Sequence, residues 1–171
     1  RPTSGIVVFA KTSKALTRMN ALFEKRDVDK RYWTLIKEKP RQTTERLVHY
    51  LKKDPAKNKS FTYKKEQNGV KKAALSYSVL AKSESFYLLE IELETGRHHQ
   101  IRVQLASIGC PIKGDLKYGF PRSNKDASIS LHARSLSFVH PVSKELINVK
   151  APLPLSDNVW KYFNSLEISK I

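Results

Sequence analysis

Cysteine is almost missing from this chain. Cys110 is the only one in 171 residues, so no internal disulfide can staple the fold, and a basic chain without disulfides fits a reducing compartment. No apolar run approaches the roughly 20 residues that a membrane-spanning helix requires, and no signal peptide is visible at the start. The chain is therefore read as soluble and cytoplasmic, with no membrane partner. There is no glycine-rich phosphate loop followed by lysine, no dinucleotide fingerprint, no internal repeat and no Cys/His cluster at zinc spacing. His98 and His99 are adjacent and point apart on any regular element, while His49, His132 and His140 form no helical pair; neither a metal nor a nucleotide cofactor is expected. An initiator methionine is missing as well. Arg1-Pro2-Thr3-Ser4-Gly5 runs straight into an apolar stretch, which raises the expectation that further sequence precedes Arg1.

Acidic residues are scarce beside basic ones. Lys plus Arg number 32 against 16 Asp plus Glu, a formal charge of +16, and a surplus of that size attracts polyanions by counterion release and long-range steering. Nucleic acid is the leading partner class. Residues 1–82 hold 21 Lys/Arg and 7 Asp/Glu, whereas residues 83–171 hold 11 and 9, so the phosphate-facing surface is assigned to the first half. A merely solvated basic surface is the plainer alternative, because charge alone says nothing about fold. With 40% hydrophobic residues the chain can bury the core of one ordinary domain.

Residues 5–10, rich in valine, read as a buried strand. Ser13 then reads as the N-cap of a helix that turns Leu16, Met19, Leu22 and Phe23 to one face and ends on Lys25 and Arg26. Residues 30–37 alternate as a strand, with Tyr32, Thr34 and Ile36 on one face and Trp33 and Leu35 on the other. Residues 47–51 fit a strand or a short helical turn. Residues 52–72, broken by Pro55 and Gly69, read as an exposed loop or hairpin with Phe61 and Tyr63 interleaved among lysines. Residues 73–81 and 85–94 read as antiparallel neighbours, and Ile101, Leu105 and Ile108 mark the inner face of a helix that Gly109 and Pro111 terminate. Residues 130–140 and 146–150 suggest a hairpin, and a last helix, capped by Ser156 or Asp157, carries Val159, Trp160 and Phe163 inward. Strands outnumber helices and seldom alternate with them. This predicts an α+β fold: a single domain on a largely antiparallel (mixed) β-sheet flanked by a few helices, with a basic cleft.

The stretch richest in chemistry is Thr95-Gly96-Arg97-His98-His99-Gln100-Ile101-Arg102. It sets two arginines, two histidines and a glutamine where a strand passes through a glycine turn into a helix, and the unpaired first amides of a helix favour anions. Arg97 and Arg102, with Gln100 between them and Ile101 directed inward, can hold a phosphate or carboxylate at the mouth of a cleft. A capped helix start with solvated arginines would read the same way. Gly109-Cys110-Pro111-Ile112-Lys113-Gly114-Asp115 and Tyr118-Gly119 follow, and Asp115 is expected to brace that loop through backbone hydrogen bonds rather than to react.

These residues resemble the RluA-type pseudouridine synthases. Arg1-Pro2-Thr3-Ser4-Gly5 is similar to the tail of the family's H-R-L-D-x-x-T-S-G motif, and Lys30-Arg31-Tyr32 to its lysine-containing strand with an active-site tyrosine. The third match is the T-G-R-x-H-Q-[IL]-R helix start, continuing to G-x-P-I-x-G-D-x-x-Y-G and Leu131-His132-Ala133. Gly69-Val70-Lys71-Lys72-Ala73-Ala74-Leu75-Ser76-Tyr77 also resembles the family's lysine-alanine strand start. Order and spacing agree across nearly the whole chain. The chain departs from the pattern in two places: the family's nucleophilic aspartate would stand one position before Arg1, and Gln104 occupies a place where the family often has histidine.

The resemblance implies isomerisation of uridine to pseudouridine in structured RNA, ribosomal or transfer, by base flipping and exchange of the C–N glycosidic bond for a C–C bond. Such a reaction calls for a carboxylate near the sugar or base and a pocket that retains the detached uracil, with no cofactor. Tyr32 and Arg102 are implied as catalytic, Tyr32 against the base as acceptor or relay for the C5 proton and Arg102 as partner of the aspartate. Arg1, Thr3, Arg97, His99, Gln100, Ile101, Leu131 and His132 are implied to bind substrate, with Ile101 and Leu131 as pocket walls. Lys64, Lys65, Lys71 and Lys72 are assigned to RNA phosphates, with Phe61 and Tyr63 able to stack a base. On this reading residues 1–171 are a catalytic domain lacking its N-terminal portion, monomeric and inactive as it stands. A non-catalytic RNA-binding module of the same fold is the alternative.

Overall fold

Alternation along one strand organises the molecule. Residues 33–36 are all buried, which an alternating strand achieves only when both faces of its sheet are covered. The computed structural model describes residues 3–155 and 157–166. Its sheet has eight strands: β1 (Ser4–Gly5), β2 (Val28–Ile36), β3 (Thr44–Asp54), β4 (Lys59–Tyr63), β5 (Lys71–Lys82), β6 (Tyr87–Leu93), β7 (Leu131–Val139) and β8 (Leu146–Lys150). They lie in the order β1-β7-β2-β6-β5-β3-β4, with β8 also on β7. β1 runs parallel to β7, and the other pairings are antiparallel. The helices among the described residues are α1 (Ser13–Lys25), α2 (Gln100–Ser107) and α3 (Asn158–Ser165). The α+β class and the mixed, largely antiparallel sheet are as the sequence predicts. None of these helices is long and apolar enough to cross a membrane.

On one face Ile36, Leu75, Tyr77, Leu89 and Ile91 pack with Ile101 and Leu105 of α2 and with Leu131, and Tyr32 lies against this cluster. On the other face Trp33, Leu35 and Leu88 pack with Trp160 and Phe163 of α3. Each such side chain contributes about 1.5–3 kcal/mol by leaving water. Thr34, buried on the first face, donates its hydroxyl to Ser130 O at 2.9 Å, so its polar atom is satisfied. Asp157 caps α3 by accepting from Val159 N at 2.7 Å and also accepts from Lys113 Nζ at 2.5 Å, tying the helix to the sheet. Ser156, the other candidate cap, lies outside the described residues.

Several local expectations are corrected. Residues 6–10 are not a buried strand: Val7 and Phe9 are 68% and 84% exposed. Ile6 N still reaches Ala133 O at 3.0 Å, but from Ser135 onward the edge of β7 is occupied by β8, leaving the following residues no strand partner. Gly5, at φ +98°, permits this close approach, since a Cβ there would collide with Ala133 O. The N-cap of α1 is Thr12 rather than Ser13, because Thr12 is extended and its Oγ1 accepts from Ala15 N at 3.1 Å. Leu16 and Phe23, expected inward, are 53% and 37% exposed while Met19 is buried; α1 rests lightly on the sheet and leaves a cleft beside it. Other readings hold: residues 47–51 are strand, within β3, residues 52–72 include its hairpin with β4 and the link to β5, and Ile108, the C-cap of α2, packs inward with Ile101 and Leu105.

Candidate active site

The turn between β6 and α2 is built on one residue of β5. Ala74 O accepts from Glu94 N at 3.1 Å, from Thr95 N at 3.2 Å and from Gln100 Nε2 at 3.0 Å, while Ala74 N donates to Thr95 Oγ1 at 3.0 Å. Gln100 Oε1 accepts from Thr95 Oγ1 at 2.8 Å and from Arg97 N at 3.0 Å. A buried amide must find such partners. Gln100, 3% exposed, therefore braces the turn through both ends of its amide.

His99 occupies the N-cap of α2 at φ 55°, a left-handed conformation that costs a non-glycine residue on the order of 1 kcal/mol. Its ring, not its backbone, explains the arrangement. Burial, then the neighbouring Arg102 cation, push its pKa down to about 4, so the imidazole is neutral at pH 7. Nε2 faces Arg102 Nη1 at 3.0 Å and Nδ1 faces the Tyr118 hydroxyl at 3.0 Å. Arg102 has only protons to give, so Nε2 accepts and Nδ1 carries the proton donated to Tyr118. That hydroxyl also accepts from Ser60 N on β4 at 2.8 Å. His98 stacks on His99 with centroids 3.8 Å apart and meets Ser60 Oγ at 2.9 Å.

Arg102 is almost fully buried and forms a two-pronged pair with Asp115, Nε to Oδ2 and Nη2 to Oδ1, each at 2.7 Å. Its guanidinium also lies 4.9 Å from the Tyr118 ring centroid. The expectation that Arg102 faces a carboxylate before Arg1 is corrected to this extent: its fork already grips Asp115, because a buried cation needs a counter-charge. Asp115 does brace its loop through the backbone, as expected, its carbonyl accepting from Tyr118 N at 3.1 Å and Phe120 N at 3.0 Å. Three of the five guanidinium N–H groups are engaged, which leaves one on each Nη for a further acceptor.

Tyr32, Ile101 and Leu131 come from distant segments and meet around one cluster. Tyr32 pairs with Ala133 across a bulge in β7, where Arg31 faces Ser135 and the next step skips to Ala133; bulges re-aim side chains in this way. Its phenol, raised in pKa by burial, stays protonated at neutral pH. It lines a cleft of about 420 Å³ under α1, with Ile6, Met19, Phe23 and Lys30. His132 is not part of this group. Strand alternation sends it to the opposite face, where it pairs with Trp33, lies 6.0 Å from Trp160 and meets Ser4 Oγ at 2.9 Å. There it ties β1 to β7. Thr3 is exposed at the rim of a separate cleft of about 1280 Å³, and Arg1 lies outside the described residues. Arg97 is exposed and donates to Lys72 O at 3.1 Å, so it sits with the lysine strand and not with Arg102. Lys64, Lys65, Lys71 and Lys72 are all exposed at that end of the sheet. Sequence reasoning missed Ser60 and the part played by Tyr118; the fixed spacing of Asp115 and Tyr118 around a 3-10 turn was the available signal. Among the described residues no group of three or more His, Cys, Asp or Glu is placed to hold a metal ion.

Residues 1–107 match the sequence pattern of the RNA pseudouridylate synthase family, and the chain belongs to that family. It is 36% identical over 156 residues to the "Uncharacterized RNA pseudouridine synthase YhcT" of Bacillus subtilis (strain 168), covering 89% of this chain and 50% of the relative. It is 28% identical over 179 residues to "tRNA pseudouridine synthase C" of Vibrio parahaemolyticus, covering 94% and 71%. The fold matches that of human RNA Pseudouridylate Synthase Domain Containing 4 with a TM-score of 0.74 at 24% identity, over 98% of this chain and 72% of that one. The chain spans about half the length of most of the curated relatives it matches.

Proposed function

We propose that residues 1–171 are the catalytic domain of an RNA pseudouridine synthase that isomerises uridine in structured RNA, with Tyr32 and Arg102 at its chemical centre. The observation that carries this reading is the meeting of Tyr32, Ile101 and Leu131 at one apolar cluster beside an open cleft. A flipped base needs such apolar walls with a polar handle. In the reaction the C1′–N1 bond breaks and a C1′–C5 bond forms; C5 loses a proton and N1 gains one, so the product is an isomer. Tyr32, protonated at neutral pH, would act as a relay: its oxygen takes the C5 proton as its own O–H proton passes to a neighbouring acceptor. Arg102, held rigid by Asp115 and His99, offers its two remaining N–H groups to the reacting carboxylate that the family motif would place just before Arg1. A chain beginning at Arg1 is then expected to hold RNA without turning it over.

The exposed lysines 64, 65, 71 and 72, together with Arg97, would lie along the phosphates as the basic rim of the cleft. Substrate is sought among ribosomal and transfer RNA, the name of the Vibrio relative supporting the latter, and we propose a monomer working in the cytoplasm. The test is single-turnover conversion by a Tyr32→Phe variant of the complete gene product. Phenylalanine keeps the ring and most of the buried area, so the variant is expected to fold and bind RNA but stall. Turnover within a few-fold of the parent returns Tyr32 to packing. RNA binding by the complete parent protein with no pseudouridine formed would instead favour the non-catalytic binding module.

A further inference from the structure

Lys30 stands on the divide between two clefts. Two residues before Tyr32 on β2, it shares that side chain's face of the sheet, and both line the cleft of about 420 Å³ under α1. With Phe23, Lys30 also lines an adjoining cleft of about 500 Å³ whose walls include Arg26 and Arg97. Its ammonium lies 4.9 Å from the centroid of the Phe23 ring, and among the described residues it forms no ion pair. Two carboxylates face the second cleft. Glu94 is taken by both prongs of Arg46 at 2.6 and 2.7 Å, leaving Glu24 on α1 against three cations. A half-buried cation without a counter-charge costs free energy that an arriving anion offsets, and burial indeed lowers the Lys30 pKa.

We propose that Lys30, with Arg26 and Arg97, forms an anion site for the RNA phosphodiester flanking the uridine seated against Tyr32. The site rests on the functional reading above and deepens it: the first cleft takes the base and the second takes the backbone beside it. Lys30, common to both, sets the distance between them. Arg26 is held there by its place as the C-cap of α1, at φ 63°, with its N–H bonded to Leu22 and Phe23 carbonyls. Arg97 is held by Lys72 O.

The experiment measures fluorescence anisotropy of a uridine-containing hairpin RNA with the complete protein, its Lys30→Met variant and its Lys30→Arg variant, across a salt series. Methionine keeps length and apolar contact with Phe23 but removes the charge. Lys30→Met should weaken binding by about tenfold and lower the slope of log affinity against log salt by about 1, while Lys30→Arg keeps both near the parent. Melting curves of each variant accompany the titration. A Lys30→Met variant with the parent's slope overturns the site, and so does an equal loss in both variants with melting lowered alike, which marks a packing role. Pseudouridine formation is measured on the same samples. A Lys30-dependent slope without pseudouridine defeats the chemistry and leaves the anion site standing; pseudouridine with an unchanged slope does the reverse.

Discussion

Replacing Arg102 by lysine keeps one positive charge and removes a fork, which makes it the sharpest probe of the buried network. Arg102 reaches both oxygens of Asp115 at 2.7 Å and His99 Nε2 at 3.0 Å, whereas a lysine ammonium can keep one contact to Asp115. Losing one hydrogen bond between charged groups costs about 1.5–3 kcal/mol, and losing the bond to His99 costs about 1 kcal/mol more. The total of about 3 kcal/mol is a large share of the 5–15 kcal/mol that holds a typical domain together. For a chain of this length it corresponds to a fall in Tm of about 6–12 °C. Urea unfolding is the assay: the midpoint should drop while m is unchanged, because the same surface is exposed on unfolding. If Arg102 also orients the reacting carboxylate, single-turnover activity under conditions where the variant is folded should fall at least about tenfold. A variant that unfolds at the parent's midpoint would refute the view that the two-pronged pair holds α2 to the Asp115 loop.

Three further outcomes follow from the geometry. His99 is held neutral in the fold with a pKa pushed down to about 4 from 6.5, so between those values the unfolded chain binds more protons; its contribution is complete above pH 6.5 and lost as pH falls towards 4. Urea midpoints measured across that window should show the decline in the parent and a flatter profile in His99→Asn. Changing Lys64, Lys65, Lys71 and Lys72 together to alanine should weaken RNA binding almost regardless of sequence and flatten its salt slope, and an unchanged slope would leave them as solvated bystanders. Gly5→Ala should loosen β1 from β7, since its Cβ meets Ala133 O at a φ of +98°, and hydrogen exchange at Ile6 N should accelerate by at least about tenfold.

Much of the frame is legible in the sequence. Period-two alternation sorted Tyr32, Thr34 and Ile36 from Trp33 and Leu35, and the two cores of the sheet separate in that way. Trp160 and Phe163 were legible as the buried side of α3 because helical spacing and a cap surround them. What was illegible depends on partners remote in sequence. Residues 6–10 have strand composition, but a strand needs a free edge, and β8 occupies it. The face of α1 is apolar by pattern, yet pattern says nothing of what covers Leu16 or Phe23. Ser60 joins His98 and Tyr118 only because the strand order sets β4 beside α2, across sequence separations of 38 and 58 residues. The surroundings of Gln100 and His132 are illegible for a different reason: a motif names residues, while burial and strand parity decide which way their polar atoms point.

The central proposal is that this site isomerises uridine in RNA with the carboxylate that the family motif would place just before Arg1. Tritium release from RNA bearing C5-labelled uridine tests it most directly, with the complete gene product compared against a chain of residues 1–171. Release by the complete protein, and none by the chain that starts at Arg1 although it binds the same RNA, is the predicted result. Release by a sample whose intact mass matches residues 1–171 would contradict the placement of the carboxylate, and no release by the complete protein on any cellular RNA would contradict the function itself.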